Sequence, residues 1–208
     1  MTSETDLASD FSADGSIEQY QQSLNTDRAV GNLAGESISL NNLGLEYNDR
    51  GQWAEAIECH QQDLAICRKL DDREGESAAY NNLGLVYYNQ GKFDESIECH
   101  QQSLAICQEL GDREGEGASC NNLGMIYRAK SKWDESIECY QQSLTIEREL
   151  SDPDRYWEGQ ILDKLGQLYQ SKGEVDRAIP LWQEALTKLP EDAREYPIIQ
   201  AQLEQTIS

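Results

Sequence analysis

Proline and basic side chains are scarce in this sequence, and each shortage excludes a class of structure or function. Four of the 208 residues are proline, so long helices can run without interruption. Lysine and arginine total 17 against 39 aspartates and glutamates, which gives a formal net charge of −22. Nucleic acid or an anionic membrane surface would have to bind against this negative field. We therefore expect neither as a partner.

Long apolar runs are also missing. No stretch approaches the roughly 20 residues that a membrane-spanning helix requires. The first 15 residues, MTSETDLASDFSADG, have neither the basic region nor the apolar region of a signal peptide. The expected location is therefore cytoplasmic. The composition is 38% hydrophobic with four Trp and ten Tyr, which suffices for a packed core.

What the sequence does contain is an internal repeat. Rows of forty residues written from position 41 align without a gap and begin NNLGLEYNDRGQWAEAIECH, NNLGLVYYNQGKFDESIECH and NNLGMIYRAKSKWDESIECY. The first two rows share 25 of 40 residues. Self-similarity at a fixed period is the signature of a repeat array, and it decides the fold class here.

Each repeat has the pattern of two helices joined by a turn. Tyr80, Leu83 and Val86 recur at three-residue steps, which is one apolar stripe of a helix. The stripe breaks near Gly91, which suits a left-handed turn position, and then resumes to the end of the repeat. No stretch shows the alternation of a β-strand. The sequence predicts an all-α protein.

The segment between repeats carries the signals of one helix ending and another beginning. In the second repeat it reads Leu-Gly-Asp-Arg-Glu from position 110. Gly111 can end the preceding helix, and Asp112 can cap the following one. Glu114 then lies in the first turn, where the helix dipole favours an acid.

These residues resemble the tetratricopeptide repeat (TPR), a helix-turn-helix unit with Leu-Gly-x2-Tyr, a turn glycine, an aromatic residue and later small residues. The positions that carry the resemblance are Leu43, Gly44, Tyr47, Gly51, Trp53, Ala56 and Leu64; Leu83, Gly84, Tyr87, Gly91, Phe93, Ser96 and Leu104; Leu123, Gly124, Tyr127, Trp133, Ser136 and Leu144; and Leu165, Gly166, Tyr169, Gly173, Ala178, Ala185, Leu186 and Pro190. In the third repeat Ser131 replaces the turn glycine.

The period of forty is longer than the usual 34 residues of the family. It is similar to the long repeats of G-protein-signalling modulator scaffolds, kinesin light chains and bacterial regulatory arrays. The resemblance implies a right-handed TPR α-solenoid of helix-turn-helix repeats. The expected organisation is a disordered N-terminal tail (1–15), the orphan second helix of a half-repeat (16–36), four repeats (37–76, 77–116, 117–158 and 159–190) and a C-terminal capping helix (191–208).

The half-repeat lacks a first helix of its own. Residues 16–40 align with 56–80, so Ile17, Tyr20 and Leu24 match positions that pack on a first helix in a complete repeat. We therefore expect an unshielded apolar face at this end, through which the chain could associate with a second copy.

Conspicuous glycines, cysteines and histidines are predicted to be structural. Gly44 and its equivalents allow two helices to approach closely. Cys59, Cys99 and Cys139 recur one repeat apart, too far for a disulfide, and no spacing resembles a zinc knuckle. His60 and His100 stand where later repeats have Tyr and Trp, so we interpret them as packing variants. We expect no metal, no cofactor and no catalytic site.

Repeated asparagines are the strongest candidates for function. The pairs at 41–42, 81–82 and 121–122 lie on first helices, where Asn is a mediocre helix former. The resemblance implies that first helices line a concave groove and that the second Asn of each pair holds the main chain of a ligand. Carried over by position, the groove would contain Asn42, Asn82, Asn122, Leu45, Leu85, Met125, Tyr88, Arg128, Lys164 and Gln167. The competing interpretation is that these amides only tie neighbouring helices together.

The cationic clamp that some members of the family use for a peptide carboxylate is missing. The matching positions hold Asn41, Leu45, Ala118 and Asn122. We expect a non-enzymatic scaffold whose groove binds a peptide or helical segment of a protein partner. The alternatives are a regulatory segment of a larger multidomain protein, with its groove occupied internally, and a self-associating assembly module.

Overall fold

The computed structural model describes residues 4–150 and 154–207, with side chains over 16–150 and 154–206. These residues form helices and contain no strand, as the sequence predicts. In chain order the helices are α1 (Glu4–Val30), α2 (Leu33–Asp49), α3 (Trp53–Lys69), α4 (Arg73–Asn89), α5 (Phe93–Leu110), α6 (Arg113–Ala129), α7 (Trp133–Glu149), α8 (Arg155–Ser171), α9 (Val175–Lys188) and α10 (Glu195–Ile207).

First helices begin at a capping side chain. Asp112 accepts a hydrogen bond from the backbone N–H of Gly115 at the start of α6, and Asp72 caps α4 in the same way. Asn32 and Asp154 cap α2 and α8. Such a bond satisfies one of the backbone donors that a helix start leaves unpaired. The predicted role of Asp112 is confirmed.

Left-handed residues separate the two helices of a repeat. Gly91 has φ 75° between α4 and α5, as predicted, and Ser131 adopts φ 57° between α6 and α7. The conformation is therefore kept even where the residue is not glycine. A side chain at such a position is strained, because its β-carbon crowds the backbone.

The helix pairs are α2–α3, α4–α5, α6–α7 and α8–α9. The first helices of the first three pairs begin at 33, 73 and 113, four residues before the repeat boundaries assigned above. α1 precedes the pairs and matches the half-repeat, but its backbone is helical from Glu4. It thus includes residues 4–15 of the segment assigned to a disordered tail, and the side chains of residues 1–15 lie outside the described part.

The chain divides into two compact units, an N-terminal unit of residues 1–106 and a C-terminal unit of residues 107–208. In the N-terminal unit, α2 packs against α1 and α3, and α3 packs against α4. In the C-terminal unit, α6 to α10 pack in chain order. The C-terminal unit has one large core that includes Trp182, Leu165 and Ile161, and Ile199 of α10 is fully buried in it.

An aromatic ring facing a glycine is the packing motif common to all four pairs. A β-carbon added at Gly44 would lie 2.5 Å from the His60 ring, and one at Gly84 would lie 2.6 Å from the His100 ring. The same approach joins Gly124 to Tyr140 and Gly166 to Trp182. Because any larger residue would collide with the ring, the prediction that these glycines permit close helix packing is confirmed.

The N-terminal apolar face is more covered than the sequence analysis expected. Leu24 is buried in a cluster with Leu40 and Leu43 of α2, and Ile17 and Tyr20 are half-buried against it. The half-repeat lacks a first helix of its own, but this is only one of the two surfaces on which a second helix packs. A second helix also packs on the first helix of the next repeat, and α2 provides that cover.

Candidate functional site

The N-terminal unit carries a partly exposed strip along its first helices, which we call the N-terminal strip. It consists of Ile38, Asn42 and Leu45 on α2, and Asn82, Leu85 and Tyr88 on α4. Ile38, Asn42 and Leu45 are four and three residues apart, so they share one face of α2. Ile38 is 64% exposed and Leu45 is 39% exposed. Two aliphatic side chains in water beside a half-buried amide form a surface suited to an amphipathic segment.

Amide pairs connect the two helices of this strip. Asn82 Nδ2 donates to Asn41 Oδ1 over 2.7 Å, and Asn89 Nδ2 donates to Asn48 Oδ1 over 3.0 Å. Asn82 therefore already uses one donor within the protein. This observation supports the interpretation that Asn82 ties neighbouring helices together. Asn42 is half-buried.

The C-terminal unit carries the other predicted groove residues, which we call the C-terminal strip. They are Asn122, Met125 and Arg128 on α6, and Lys164 and Gln167 on α8. Arg128 Nη2 donates to Gln167 Oε1 over 2.8 Å, so this pair connects α6 to α8. Arg128 remains exposed, and Met125 is half-buried. This strip offers a cation and amides where the N-terminal strip offers aliphatic groups.

Lys164 is the most constrained side chain of the C-terminal strip. Its Nζ donates to Asn121 Oδ1 over 2.8 Å and lies 5.1 Å from the ring centroid of Trp157 and 5.6 Å from that of Tyr140. Burial lowers the pKa of Lys164, because the low-polarity surroundings disfavour its charge. Both rings and the amide oxygen offset part of that cost.

The same type of hydrogen bond between successive first helices occurs in each strip. Asn41 and Asn121 occupy the same repeat position, and so do Asn82 and Lys164. In each unit the amide oxygen of the first residue accepts a hydrogen bond from the second. Asn41 and Asn121 therefore each act as an acceptor for the next first helix, whether the donor is an amide or an ammonium.

Sequence reasoning missed Ile38, and it gave the tying of helices by the repeated asparagines only as the competing interpretation. Ile38 could have been found from the sequence, because the equivalent positions of the next two repeats, 78 and 118, hold Ala. A larger apolar residue at this repeat position is therefore unusual. The acceptor role of Asn41 and Asn121 could not be read from spacing. The direction of their side chains depends on how closely successive first helices pack.

Burial shifts the pKa values of several thiols and of both imidazoles. Burial lowers the pKa of both His60 and His100 to about 4 and raises that of Cys59, Cys99 and Cys120 to about 11. A thiol with so high a pKa is a poor nucleophile at neutral pH. In the described residues, no group of three or more His, Cys, Asp or Glu side chains is placed to hold a metal ion.

A scan against protein-family models matches the Tetratricopeptide repeat at residues 36–109, 75–128 and 118–191. These matches together span most of the chain. The chain belongs to the tetratricopeptide repeat family. Proteins of this family are generally non-enzymatic scaffolds that bind protein partners. Within the described residues, no helix has the length and apolar character needed to cross a membrane.

Solved structures of similar fold come from several TPR proteins. BtubC from P. vanneervenii is 22% identical with a TM-score of 0.77, covering 93% of this chain and 80% of that one. A putative kinesin light chain with nearly identical TPR-like repeats from Podosopora anserina is 24% identical with a TM-score of 0.66, covering 81% and 83%. MamA is 23% identical with a TM-score of 0.63, covering 87% and 91%. A search of the curated proteins found no match.

Proposed function

We propose that this protein is a non-enzymatic scaffold that binds a peptide or helical segment of a partner protein along its first helices. The observation that carries the proposal is the N-terminal strip, where Ile38 and Leu45 are exposed on the face that also presents Asn42. A partner segment with apolar residues at helical spacing would cover both side chains. Asn42 could then hydrogen-bond its main chain.

The charge of the protein should affect the association rate of the partner more than its dissociation rate. The net charge of −22 should speed association with a basic segment and make that association sensitive to salt. The N-terminal strip itself contains no charged residue, so apolar contact and amide hydrogen bonds should set the dissociation rate.

The test is quantitative capture of a native partner by variants of the full chain. Leu45→Asp places a charge in the strip, and we expect it to reduce capture at least tenfold. Ile198→Asp is the matched control, because Ile198 is 49% exposed on α10 and lies outside both strips. Equal capture by both variants would place the interaction elsewhere on the molecule.

Self-association through the half-repeat is the weaker candidate. One surface of the half-repeat helix α1 carries five polar side chains and two apolar ones, which are Glu18, Gln21, Gln22, Asn25, Thr26, Ala29 and Val30. Ile17, Tyr20 and Leu24 of the same helix pack against the cluster that Leu40 and Leu43 of α2 form. We expect light scattering to give one mass, that of a single chain, across a wide concentration range.

A further inference from the structure

A second recurring bridge, separate from the first-helix strips, joins a second helix to the next first helix at three junctions. An arginine near the end of the second helix pairs with a glutamate eight to ten residues later. The three instances are Arg28 with Glu36 (2.7 Å), Arg68 with Glu76 (2.9 Å) and Arg148 with Glu158 (2.7 Å).

One junction lacks this arginine. At the equivalent position the C-terminal unit has Gln108, eight residues before Glu116. The Glu116 side chain is 10% exposed, close to the 9% of Glu76. Glu76 pairs with two arginines, Arg68 and Arg73. Among the described residues, Arg113 is the one cation paired with Glu116.

The arginine of the α3–α4 junction also stacks on a ring that the α5–α6 junction lacks. In the N-terminal unit the Arg68 guanidinium lies 5.5 Å from the centroid of the Tyr80 ring and donates to its hydroxyl. The position equivalent to Tyr80 holds Cys120. Two shorter side chains therefore stand where the other unit has a guanidinium stacked on a phenol.

Both replacing residues line a cavity in the C-terminal unit. It measures about 370 Å³ and opens to solvent, and its walls include Gln108, Glu116, Cys120, Glu138, Gln142 and Ile146. That volume lies at the small end of ligand-binding clefts. The carboxylates and amide oxygens are acceptors for N–H donors, and Ile146 offers an apolar wall for an aliphatic stem.

We propose that this cavity, the guanidinium pocket, receives an arginine side chain of a partner polypeptide. The inserted guanidinium would donate to Glu116 and reproduce the bridge that the other junctions form internally. Arginine suits the pocket better than lysine, because its planar group has five donors to share among carboxylates and amides. The negative charge of the protein favours the entry of a cation.

Binding of a model peptide to the full-length chain tests the proposal. Acetyl-Ala-Arg-Ala-amide is titrated while the backbone amide resonances are followed by NMR. We expect saturable shifts centred on residues 108, 116, 120 and 142. A citrulline peptide, which keeps the shape but loses the charge, should bind at least tenfold more weakly, and a lysine peptide should also bind more weakly than arginine.

Gln108→Arg is the decisive variant. It restores the residue of the sister junctions, so we expect a folded protein in which the internal guanidinium blocks the pocket and peptide affinity falls at least tenfold. Gln101→Arg adds the same charge at an exposed position of α5 and should bind as the unmodified chain does. Unchanged binding by Gln108→Arg would overturn the proposal, as would equal binding of the citrulline or lysine peptide or no binding of the arginine peptide.

A reciprocal variant tests for gain of binding, which damage to the protein by mutation could not produce. Arg68→Gln combined with Tyr80→Cys copies the pocket into the N-terminal unit, and we expect a second binding event centred on Glu76. Leu45→Asp should leave arginine binding intact, so this proposal and the scaffold proposal can fail separately.

Discussion

The two units build the same packing motif from different chemistry. In the N-terminal unit the rings that face the glycines are the imidazoles of His60 and His100, and neither nitrogen of either ring has a hydrogen-bond partner. In the C-terminal unit the rings belong to Tyr140 and Trp182, and the Trp182 indole donates to Asp163 over 3.1 Å. The same flat-ring position is therefore filled by unpartnered imidazoles in one unit and by a hydrogen-bonded indole in the other, so we expect the rings to contribute differently to stability.

The largest expected difference comes from removing the ring. Trp182→Ala deletes a fully buried indole and leaves the buried Asp163 without that donor, so we expect a loss of about 3–5 kcal/mol. His100→Ala removes a smaller ring whose nitrogens have no partner, and it should cost distinctly less. Urea unfolding of the two variants measures both values. Equal losses would mean that the rings are energetically equivalent.

Acid should act selectively on the N-terminal unit. The pKa of His60 and of His100 is about 4 in the folded chain and about 6.5 when unfolded, so below pH 6.5 the unfolded state binds more protons. Stability is full above pH 6.5 and falls as the pH drops towards 4, by up to about 1.4 kcal/mol per pH unit for each histidine.

Hydrogen exchange at pH 7.5 and pH 5 locates this loss, which we expect in α3 to α5. Asp63, whose pKa burial raises, acts in the opposite direction, so a variant is needed to isolate the imidazoles. His100→Tyr copies Tyr140 of the C-terminal unit and should remove about half of the pH dependence. An unchanged pH dependence in this variant would contradict the assignment.

Exchanging the turn residues of the two units should change stability by a smaller amount, with opposite signs in the two units. Gly91 and Ser131 hold the same left-handed conformation, which costs a residue with a side chain about 1 kcal/mol or more. Gly91→Ser should therefore destabilise the chain by about 1 kcal/mol, and Ser131→Gly should stabilise it by a similar or smaller amount. Thermal unfolding of both variants tests the pair. Changes of the same sign would show that context outweighs backbone strain.

The amide connection in the N-terminal strip should have the smallest effect. A double-mutant cycle of Asn41→Ala and Asn82→Ala should give a coupling of about 1 kcal/mol, the usual net value of one hydrogen bond. The single changes should cost less than that, because alanine is the better helix former. A coupling near zero would leave both amides available to a ligand.

Much of the fold was predictable because the same pattern of helix and turn residues occurs in three successive repeats. The helix pairs, the cap at Asp112, the turn at Gly91 and the close approach at Gly44 all follow from local residue chemistry, and the structure confirms them. The cover of Leu24 was not predicted, because it depends on α2 and not on the half-repeat itself. The guanidinium pocket could not be predicted from the sequence, because Gln108 and Cys120 lie on different helices and line one cavity only in the folded chain.

The groove residues were only partly predictable. Position assigned Asn42, Leu45 and Leu85 to first helices, but their exposure depends on helix packing. The internal partners of Asn82 and Lys164 are long-range contacts that no local pattern contains. Their roles in binding remain predictions.

The central claim is that the first helices hold the partner, and photo-crosslinking tests it most directly. A benzophenone amino acid is introduced at Leu45 in the N-terminal strip, at Gln167 in the C-terminal strip and at Ile198 on α10 as the control. Each variant is irradiated with native extract. The account predicts one common crosslinked polypeptide at Leu45, a weaker or equal yield of it at Gln167, and none at Ile198. The same polypeptide at Ile198, or none at Leu45, would contradict it.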